Sequence, residues 1–524
     1  MNRAPSSRRS SAHRTIPLGP LAATVAWPVG ALTLGAAVAM LVSAAAGVAV
    51  GSPEGAGHLG LSAAITAALG GGLMLAGRDR VEDSVGRREA LLIVSLSWLM
   101  LSLVGGLPFL IGAGFTPSEA IFEATSGFTT TGATVLPEVR ERLNPALHFW
   151  RMLSHWLGGM GIVVLFVAIF PALGVGGKHL FRSEVPGPRS KGLSPRIRQT
   201  SSVLWRIYLA ITLVETALLW LAGLPPFEAL LHALSTMGTG GFSTLNGSIG
   251  GLEAELGLTA FQAATAEWII LLFMVIAGMN FGLFHQAMRR GPRVFLRHTE
   301  TRVYLALLAL TGLAVTASLL PLKLAAVGGV GRAVHDAARD GLFQVAAIIT
   351  TTGYGTDNFE VWPTFAKMLL LALFFTGGCS GSTAGGMKII RWIILMKATL
   401  AELRRSYRPH LISPVRVGKQ PIPQAHLVEI LAFAGMFFIT VGCGAALVAL
   451  LQSWTAAPID GTTALMASLA CVANVGPGLG LVGPTDNFGF FSGPSKLVLS
   501  ACMLLGRLEF LTLLAVFTPG FWRR

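Results

Sequence analysis

A segment of 13 residues occurs four times in this chain and aligns without a gap. In each copy a small residue and two large apolar residues are followed by about two helical turns and then by a short polar segment containing glycine. The copies are residues 120–132, 229–241, 341–353 and 464–476. Each copy ends in a glycine, and successive glycines are 109, 112 and 123 residues apart. The chain therefore carries a fourfold internal repeat.

The composition places these repeats in a membrane. Of the 524 residues, 53% are hydrophobic and 12% are charged. Ten apolar stretches are long enough to cross about 30 Å of hydrocarbon, and a soluble protein would not need so many. They begin near Trp27, Leu59, Ala90, Leu147, Leu204, Trp268, Val303, Phe365, Leu427 and Leu497. We therefore predict an all-α polytopic membrane protein.

Lys and Arg are concentrated in alternate hydrophilic segments. If the N-terminus is cytoplasmic, 30 of the 39 Lys and Arg residues lie in cytoplasmic segments, as expected of membrane proteins. These segments are 1–26, 77–90, 177–206, 286–302, 388–419 and 519–524. Both termini are thus predicted to be cytoplasmic. The net charge of +14 then reflects topology and attraction to anionic membrane lipid, and it gives no reason to expect nucleic acid.

The N-terminal segment is predicted to be a cytoplasmic tail. Arg8 and Arg9 could be read as part of a twin-arginine signal. The apolar run 27–50 that follows is too long for the core of a cleavable signal, and it lacks a convincing cleavage site.

Each repeated segment is too short to cross the membrane. Pro117 and Pro226 offer helix starts, and about 12 helical residues reach only about 18 Å. The chain must therefore turn back. Non-helical backbone at membrane depth is tolerated only where it is buried or lines a wet cavity. Four such loops of the same orientation would meet both conditions by converging on one axis, which predicts a pore.

The loop residues favour a weakly hydrated monovalent cation. Glycine permits successive carbonyl groups to face one side, and the threonines at 129–131 and 350–352 can add hydroxyl groups. The polar segments carry no carboxylate, whereas a calcium or magnesium site would be expected to bring several. The C-terminal ends of the half-helices are partially negative and favour a cation. Residues 351–355 are similar to the carbonyl-lined Thr-Val-Gly-Tyr-Gly loop of potassium channels.

Three further motifs make the resemblance specific. They are Gly158-Gly159-Met160-Gly161, the small-residue segment 377–386, and Asn474-Val475-Gly476-Pro477-Gly478-Leu479-Gly480. With the four loops, they resemble the Trk/Ktr/HKT superfamily of potassium transporters. The Asn-Val-Gly-Pro-Gly sequence and the two extra leading helices are most similar to the membrane subunit of bacterial Trk systems. The resemblance covers nearly the whole chain.

The resemblance implies potassium uptake across the bacterial inner membrane, with one filter glycine per loop, potassium as the transported ion and no organic cofactor. In related plant proteins, Ser at the first of these positions accompanies sodium transport, so Gly132 favours potassium. Loop 3 departs from the usual pattern at Tyr354 and Gly355, where Phe and Thr or Asn are commoner. This departure either sharpens selectivity or is tolerated drift. The predicted ion-binding residues are Thr130, Thr131, Gly132, Thr239, Gly240, Gly241, Thr351, Thr352, Gly353, Asn474, Val475 and Gly476.

A gate is predicted below the loops. The segment 377–386 interrupts the eighth apolar run and is too flexible and polar for a lipid-exposed helix. The alternative is a kinked helix that packs closely, but an intramembrane loop is favoured and is also what the resemblance implies. Its predicted gate residues are Gly377, Gly378, Cys379, Ser380, Gly381, Ser382, Gly385 and Gly386.

Arg507 is the only basic residue in the last apolar run. A charge at that depth needs a wet cavity or a partner. We predict that Arg507 lies below the filter and opposes cations until the gate moves, as a basic residue does at the matching position in the family. The alternative is a buried ion pair with Glu509 or Glu123.

Other polar residues are assigned structural roles. Asn280 is expected to bond between helices, and His155, His232 and His285 lack ligand spacing. The cysteines Cys379, Cys443, Cys471 and Cys502 form neither a metal motif nor a disulfide framework, and we expect packed core thiols.

The predicted organisation is a cytoplasmic tail, two leading helices and four pore repeats, each a helix, a re-entrant half-helix with its filter loop, and a helix. The boundaries are 1–26, 27–84, 85–176, 177–290, 291–400 and 401–524. The chain has no nucleotide fingerprint, and the resemblance implies a homodimer with a soluble nucleotide-binding regulatory ring. An enzyme is disfavoured because no cluster of Asp, His, Ser or Cys is found at one depth. A secondary carrier for sodium or a small solute is the main alternative, and channel-like flux and ion-coupled symport both stay open.

Overall fold

Helices make up nearly all the regular structure of the protein. The computed structural model describes residues 18–78, 86–161, 197–326, 328–410, 414–418, 420–455 and 457–523. Within these residues a single hairpin pairs β1 (Arg416–Val417) with β2 (Gln420–Pro421). The predicted all-α membrane class is confirmed.

We number the described α-helices in chain order. The first eleven are α1 (Leu18–Ala49), α2 (Pro53–Gly77), α3 (Arg87–Gly105), α4 (Leu107–Gly112), α5 (Pro117–Phe128), α6 (Val139–Arg142), α7 (Pro145–Gly159), α8 (Ile197–Leu221), α9 (Pro226–Gly238), α10 (Leu252–Leu256) and α11 (Ala260–Ala277). The others are α12 (Phe281–Arg290), α13 (Arg293–Arg297), α14 (Thr299–Ala326), α15 (Val330–Ile349), α16 (Thr364–Leu373), α17 (Ile389–Tyr407), α18 (Gln424–Ser453), α19 (Gly461–Ala473), α20 (Gly493–Arg507) and α21 (Leu511–Leu514). Short 3-10 helices occupy 248–251, 359–361, 515–517 and 519–521.

Seven described helices are long and apolar enough to cross a membrane. An eighth is counted if α20 and residues 511–517 form one span, although they are bent by 107°. The run near Leu147 forms α7, which has only 15 residues and ends at Gly159, and residues 162–196 lie outside the described residues. The apolar run near Phe365 is not one helix. There α16 has 10 residues and ends before the small-residue segment, at which an interruption of this run is predicted.

The two leading helices pack closely through glycine. A methyl group on Gly30 of α1 would lie 2.6 Å from the carbonyl oxygen of Gly70 on α2. The reciprocal distance, from a methyl group on Gly70 to the carbonyl oxygen of Gly30, would be 2.9 Å. Such close backbone contact between small residues is what holds helices together in lipid. Of the cysteines, Cys379, Cys471 and Cys502 are buried as expected, whereas Cys443 is exposed on α18, so the prediction of a core thiol is wrong there.

Four short helices, α5, α9, α15 and α19, lead to the repeated polar loops. Three of them have 12 or 13 residues. Helix α5 begins with a capping box in which Thr116 and Glu119 bond to each other's backbone, a strong start signal. Helix α15 has 20 residues, so it is longer than its counterparts. In the part of α15 that matches the other half-helices, Asp340 lies against Lys323 of α14, with 2.6 Å between Nζ and Oδ2.

A buried ion pair joins the first half-helix to the helix that follows its loop. Arg151 Nε of α7 donates to Glu123 Oε1 of α5 at 2.7 Å, and the two side chains are 1% and 0% exposed. Glu123 also accepts from the Val135 amide at 3.1 Å. The Arg151 guanidinium donates to the Ser243 carbonyl at 2.9 Å and lies 3.4 Å from the centre of the Phe242 ring. One charge pair thus fixes two helices and two loops.

Removing one partner of this pair should destabilise the protein strongly. Glu123→Gln leaves the Arg151 charge buried without its counter-ion, which typically costs about 3–5 kcal/mol. We expect a clear fall in the midpoint of thermal unfolding of the detergent-purified protein. The matched control is Glu402→Gln, which breaks an exposed pair with Arg405 and should leave the midpoint nearly unchanged. Equal midpoints for the two variants would contradict this role of Glu123.

Candidate functional site: a ring of four loops

The four loops share one backbone conformation. We define loop 1 as residues 129–134, loop 2 as 238–243, loop 3 as 350–355 and loop 4 as 473–478. Two positions before its glycine, each loop has a left-handed residue with φ between 53° and 56°: Thr130, Thr239, Thr351 and Asn474. The glycines themselves have φ of 80°, 80°, 76° and 96°. The gapless sequence alignment therefore corresponds to a repeated geometry.

The same hydrogen bond ends all four half-helices. In loop 1 the Thr131 amide donates to the Ser126 carbonyl at 2.9 Å, five residues back. The corresponding distances in loops 2, 3 and 4 are 3.0, 2.8 and 3.0 Å. This is the usual way in which a left-handed residue stops a helix, but glycine normally occupies that position. A left-handed threonine costs about 1–2 kcal/mol, and such strain is typical of functional sites.

The four glycines touch one another's loops in a closed cycle. A methyl group on Gly132 would overlap the carbonyl oxygen of Gly240. In the same way, one on Gly241 would overlap the Thr352 oxygen, and one on Gly353 the Val475 oxygen. The cycle closes because a methyl group on Gly476 would lie 2.6 Å from the Thr131 oxygen. The loops therefore surround a single axis, and each glycine leaves room for a carbonyl group of the next loop.

This ring contains all twelve predicted ion-binding residues. Nine of them are buried, and only Gly132, Gly241 and Gly353 are half-buried. In three of the four loops, the glycine is thus the most accessible of the predicted residues. Whether these residues bind an ion stays a prediction at this point.

The threonine hydroxyl groups bond within the protein. Thr129 Oγ1 donates to the Thr125 carbonyl at 2.7 Å and lies 2.8 Å from Thr131 Oγ1. Thr350 and Thr352 repeat this arrangement in loop 3, with 2.8 Å between their Oγ1 atoms. These hydroxyls therefore brace the backbone, and the carbonyl groups are the better candidates for ion contact.

The small-residue segment 377–386 is non-helical and lies directly against the loops. Its Gly385 amide donates to Thr351 Oγ1 of loop 3 at 2.7 Å. A methyl group on Gly385 would also lie 2.7 Å from Asn474 Cβ of loop 4. The expectation of an intramembrane loop thus agrees with the structure, whereas its role as a gate stays a prediction.

Several backbone groups in and next to this segment bond to neighbouring elements, which is what a non-helical segment needs where water is excluded. The Cys379 amide donates to the Gly278 carbonyl at 2.8 Å. The carboxylate of Glu300, on α14, accepts from the Ser380 amide at 2.7 Å and from the Ile390 amide at 3.1 Å. Sequence analysis missed Glu300, although an acidic residue in the first turn of a spanning helix is a signal that could have identified it.

Arg507 connects the segment to loop 1. Its guanidinium donates to Thr130 Oγ1 at 3.1 Å and to the Thr383 carbonyl at 3.0 Å. It also donates to the Gly158 and Gly159 carbonyls at 2.6 and 3.2 Å. The two carboxylates suggested as partners are paired with other arginines, Glu123 with Arg151 and Glu509 with Arg391. Arg507 therefore joins the last helix to the motif 158–161 and to the gate segment.

The remaining polar residues have structural contacts. Asn280 caps α12 by accepting from the Gly282 amide at 2.8 Å. His155 stacks on Phe242 with 4.0 Å between ring centres, and a methyl group on Gly240 would overlap this imidazole. His232 Nε2 lies 3.1 Å from Ser243 Oγ. The two histidines thus pack against loop 2. Sequence spacing could not reveal this role, because their partners are residues of the loop and not other ligand-type side chains.

Comparison with known proteins gives consistent matches over most of the chain. The family model described as TrkH, cation transport protein, matches residues 61–523. The Trk system potassium uptake protein TrkH of Salmonella typhimurium is 37% identical over 448 residues, covering 85% of this chain and 88% of that protein. Its counterpart in Escherichia coli (strain K12) is 38% identical over 440 residues, covering 83% and 86%. The crystal structure of the potassium transporter TrkH from Vibrio parahaemolyticus is similar with a TM-score of 0.82 and 33% identity, covering 96% of this chain and 99% of that one.

The ring predicts that Gly353 cannot be replaced. Gly353→Ala would place a methyl group on the Val475 carbonyl oxygen of loop 4, so the ring must open or distort and ion uptake should be lost. The matched control is Gly257→Ala, at φ of 68° with no atom of the described part of the chain within 4 Å of the added methyl group. That variant carries the same left-handed strain, about 1–2 kcal/mol, without the overlap. Uptake should be measured in proteoliposomes at equal protein content, and equal activity in the two variants would show that the overlap is unimportant.

Proposed function

The chain belongs to the TrkH family of cation transport proteins, and on that premise we propose that it takes up potassium through the ring formed by its four loops. The single observation that carries this proposal is the closed cycle in which each loop glycine accommodates a carbonyl group of the next loop. Four carbonyl oxygens, those of Thr131, Gly240, Thr352 and Val475, are thereby held around one axis. Such oxygens replace the hydration shell of a monovalent cation.

Two further features of the ring support a cation. The C-terminal ends of the four half-helices meet at the loops, and helix C-termini carry a partial negative charge. The loop residues themselves are uncharged, as expected for an ion that must be released again after binding. Glycine at position 132, rather than the serine that accompanies sodium transport in related plant proteins, favours potassium over sodium.

We propose that residues 377–386 and Arg507 form the gate below this ring. The segment contacts loop 3 through Thr351 and loop 4 through Asn474, and Arg507 joins it to Thr130 of loop 1. A movement of the segment is therefore transmitted to three of the four loops. The positive charge of Arg507 next to the ring opposes passing cations while the segment stays in this position.

The protein is a multi-pass membrane transporter, and its membrane and partners are part of the proposal. We propose that it lies in the bacterial inner membrane with both termini in the cytoplasm, because the basic segments then all face inward. We also propose a homodimer that binds a soluble nucleotide-binding ring. Such a ring should co-purify when the tagged protein is isolated from its membrane, and its consistent absence would count against this partner.

Flux measurements test the proposed function directly. Proteoliposomes that contain the purified protein should take up potassium in preference to sodium. Gly132→Ser adds a side chain that overlaps the Gly240 carbonyl, as a methyl group on Gly353 overlaps the Val475 carbonyl, and should both lower potassium uptake and erode that preference. Gly51→Ser is the control, since its φ of 79° is similar and no atom of the described residues lies within 4 Å of the added Cβ. If the wild type moves neither cation above background, the ring is not a potassium filter and a carrier for another solute becomes the better hypothesis.

The gate makes a separate prediction. Arg507→Ala removes the charge below the ring and the bonds to the Thr383 and Gly158 carbonyls. We expect potassium flux to rise about tenfold, which corresponds to about 1.4 kcal/mol of barrier. Arg391→Ala, which breaks the pair with Glu509 outside the ring, is the control for a changed charge. Unchanged or lower flux in folded Arg507→Ala would contradict the gate.

A further inference from the structure

Loops 1 and 2 are each held by a side chain of their own half-helix. In α5, Glu123 lies nine residues before Gly132 and accepts from Thr134 Oγ1, two residues after it, at 3.0 Å. In α9, His232 holds the equivalent position and bonds Ser243 Oγ at 3.1 Å. We call this bond between a half-helix side chain and the hydroxyl after the glycine the loop tether.

The two tethers agree in a further detail. Thr134 Oγ1 accepts from the Leu136 amide at 3.2 Å, and Ser243 Oγ accepts from the Leu245 amide at 3.1 Å. In both cases the amide belongs to the second residue after the hydroxyl. The tether is therefore a repeated element of loops 1 and 2, and its hydroxyl also bonds the chain that follows each of these loops.

Loop 3 has half of this tether. Gln344 of α15 holds the same position, nine residues before Gly353, and it is fully buried. The residue two places after Gly353 is Gly355, which offers no hydroxyl. Neither Oε1 nor Nε2 of Gln344 has a hydrogen-bond partner among the described residues. A buried amide without partners is unfavourable, so Gln344 is a polar group whose counterpart is missing.

Loop 3 is instead bonded to the region of loop 2. The hydroxyl of Tyr354, which is completely buried, donates to the His232 carbonyl at 3.3 Å. The Gly355 amide donates to Ser248 Oγ at 3.2 Å, and its carbonyl accepts from the Gly250 amide at 3.0 Å. All three partners lie in α9 or in the segment that follows loop 2. His232 thus contributes to both loops, through its side chain to loop 2 and through its carbonyl to loop 3.

We propose that Tyr354 is a specificity-determining positioning residue, whose hydroxyl bond to the neighbouring half-helix replaces the tether that loop 3 lacks. This role rests on the proposed potassium uptake. Tyr354 is adjacent to Gly353 and two residues from Thr352, whose carbonyl oxygen is part of the ring. Without the bond, loop 3 is held less firmly, and the spacing of the carbonyl groups that separates potassium from sodium is less well defined.

The first test is Tyr354→Phe, which removes the hydroxyl group and keeps the aromatic side chain. The ratio of potassium to sodium flux in proteoliposomes should fall by about three- to tenfold, the effect of losing one ordinary hydrogen bond. Tyr208→Phe is the matched control, because its buried hydroxyl bonds the Trp156 carbonyl at 3.0 Å outside the four loops. That variant should keep the wild-type ratio.

The second test restores the missing tether. Gly355→Ser in the Tyr354→Phe background introduces the hydroxyl found in loops 1 and 2. Gly355 has no left-handed backbone, and the nearest atom to the new Cβ is Pro484 Cβ at 3.3 Å, so the substitution requires Pro484 to shift by a few tenths of an ångström. The flux ratio should recover, and adding Gln344→Leu should abolish the recovery. A general stabilising effect of serine would not depend on Gln344.

The outcomes separate the role of Tyr354 from the proposed function. If the wild type prefers potassium and Tyr354→Phe keeps the full ratio, Tyr354 does not position the filter. Recovery that persists in the variant with Gln344→Leu would equally overturn the role of the tether. If the wild type carries no potassium, the proposed function itself fails. Should Gly355→Ser lower the yield of folded protein, Tyr354→Phe and its control still decide the question.

Discussion

Each loop glycine lies against a carbonyl group of the neighbouring loop, so the conformation of each loop depends on the loop next to it. The carbonyl group next to Gly132 belongs to Gly240, the one next to Gly241 to Thr352, the one next to Gly353 to Val475, and the one next to Gly476 to Thr131. A side chain at any of these four positions would push one loop away from the next. The carbonyl groups are held by a chain of contacts that closes on itself, and the geometry of the site is therefore a property of all four segments together. The threonines and the asparagine two positions before these glycines have a strained left-handed backbone, and the closed cycle of contacts maintains this strain.

The rest of the structure supports the ring by supplying partners for polar groups at membrane depth. Glu123 and Arg151 neutralise each other and hold loops 1 and 2. Glu300 accepts from two amides at the small-residue segment. Arg507 donates to carbonyl groups of the segment and of the motif 158–161. Because lipid offers no hydrogen bonds, these side chains make irregular backbone possible next to the ring, and Arg507 also bonds the segment to loop 1.

The sequence predicted the loops well because their geometry repeats with the residue pattern. The left-handed residue and the glycine occupy the same two positions in all four aligned copies. This is expected because each loop needs Thr or Asn two residues before its glycine to form the same backbone geometry. Arg507 contacts Thr130 of loop 1, and its role below the filter stays a prediction. The alternative of an ion pair with Glu509 or Glu123 differs from the structure, in which these carboxylates pair with other arginines. Helix α15 exceeds the predicted half-helix, and α16 ends early, because apolar composition alone does not fix helix ends. The tethers through His232 and Glu123 depend on side-chain contacts between a half-helix and its own loop, which a single sequence does not reveal.

We propose that the four carbonyl groups of Thr131, Gly240, Thr352 and Val475 coordinate a monovalent cation on their common axis. The most direct measurement is an experimental structure determined with rubidium in place of potassium, with anomalous scattering used to locate the ion. We expect a rubidium peak on the axis, within coordination distance of these oxygens, and we expect this peak to be absent when sodium alone is present. A ring that is well ordered in rubidium but shows no ion on the axis would contradict the claim.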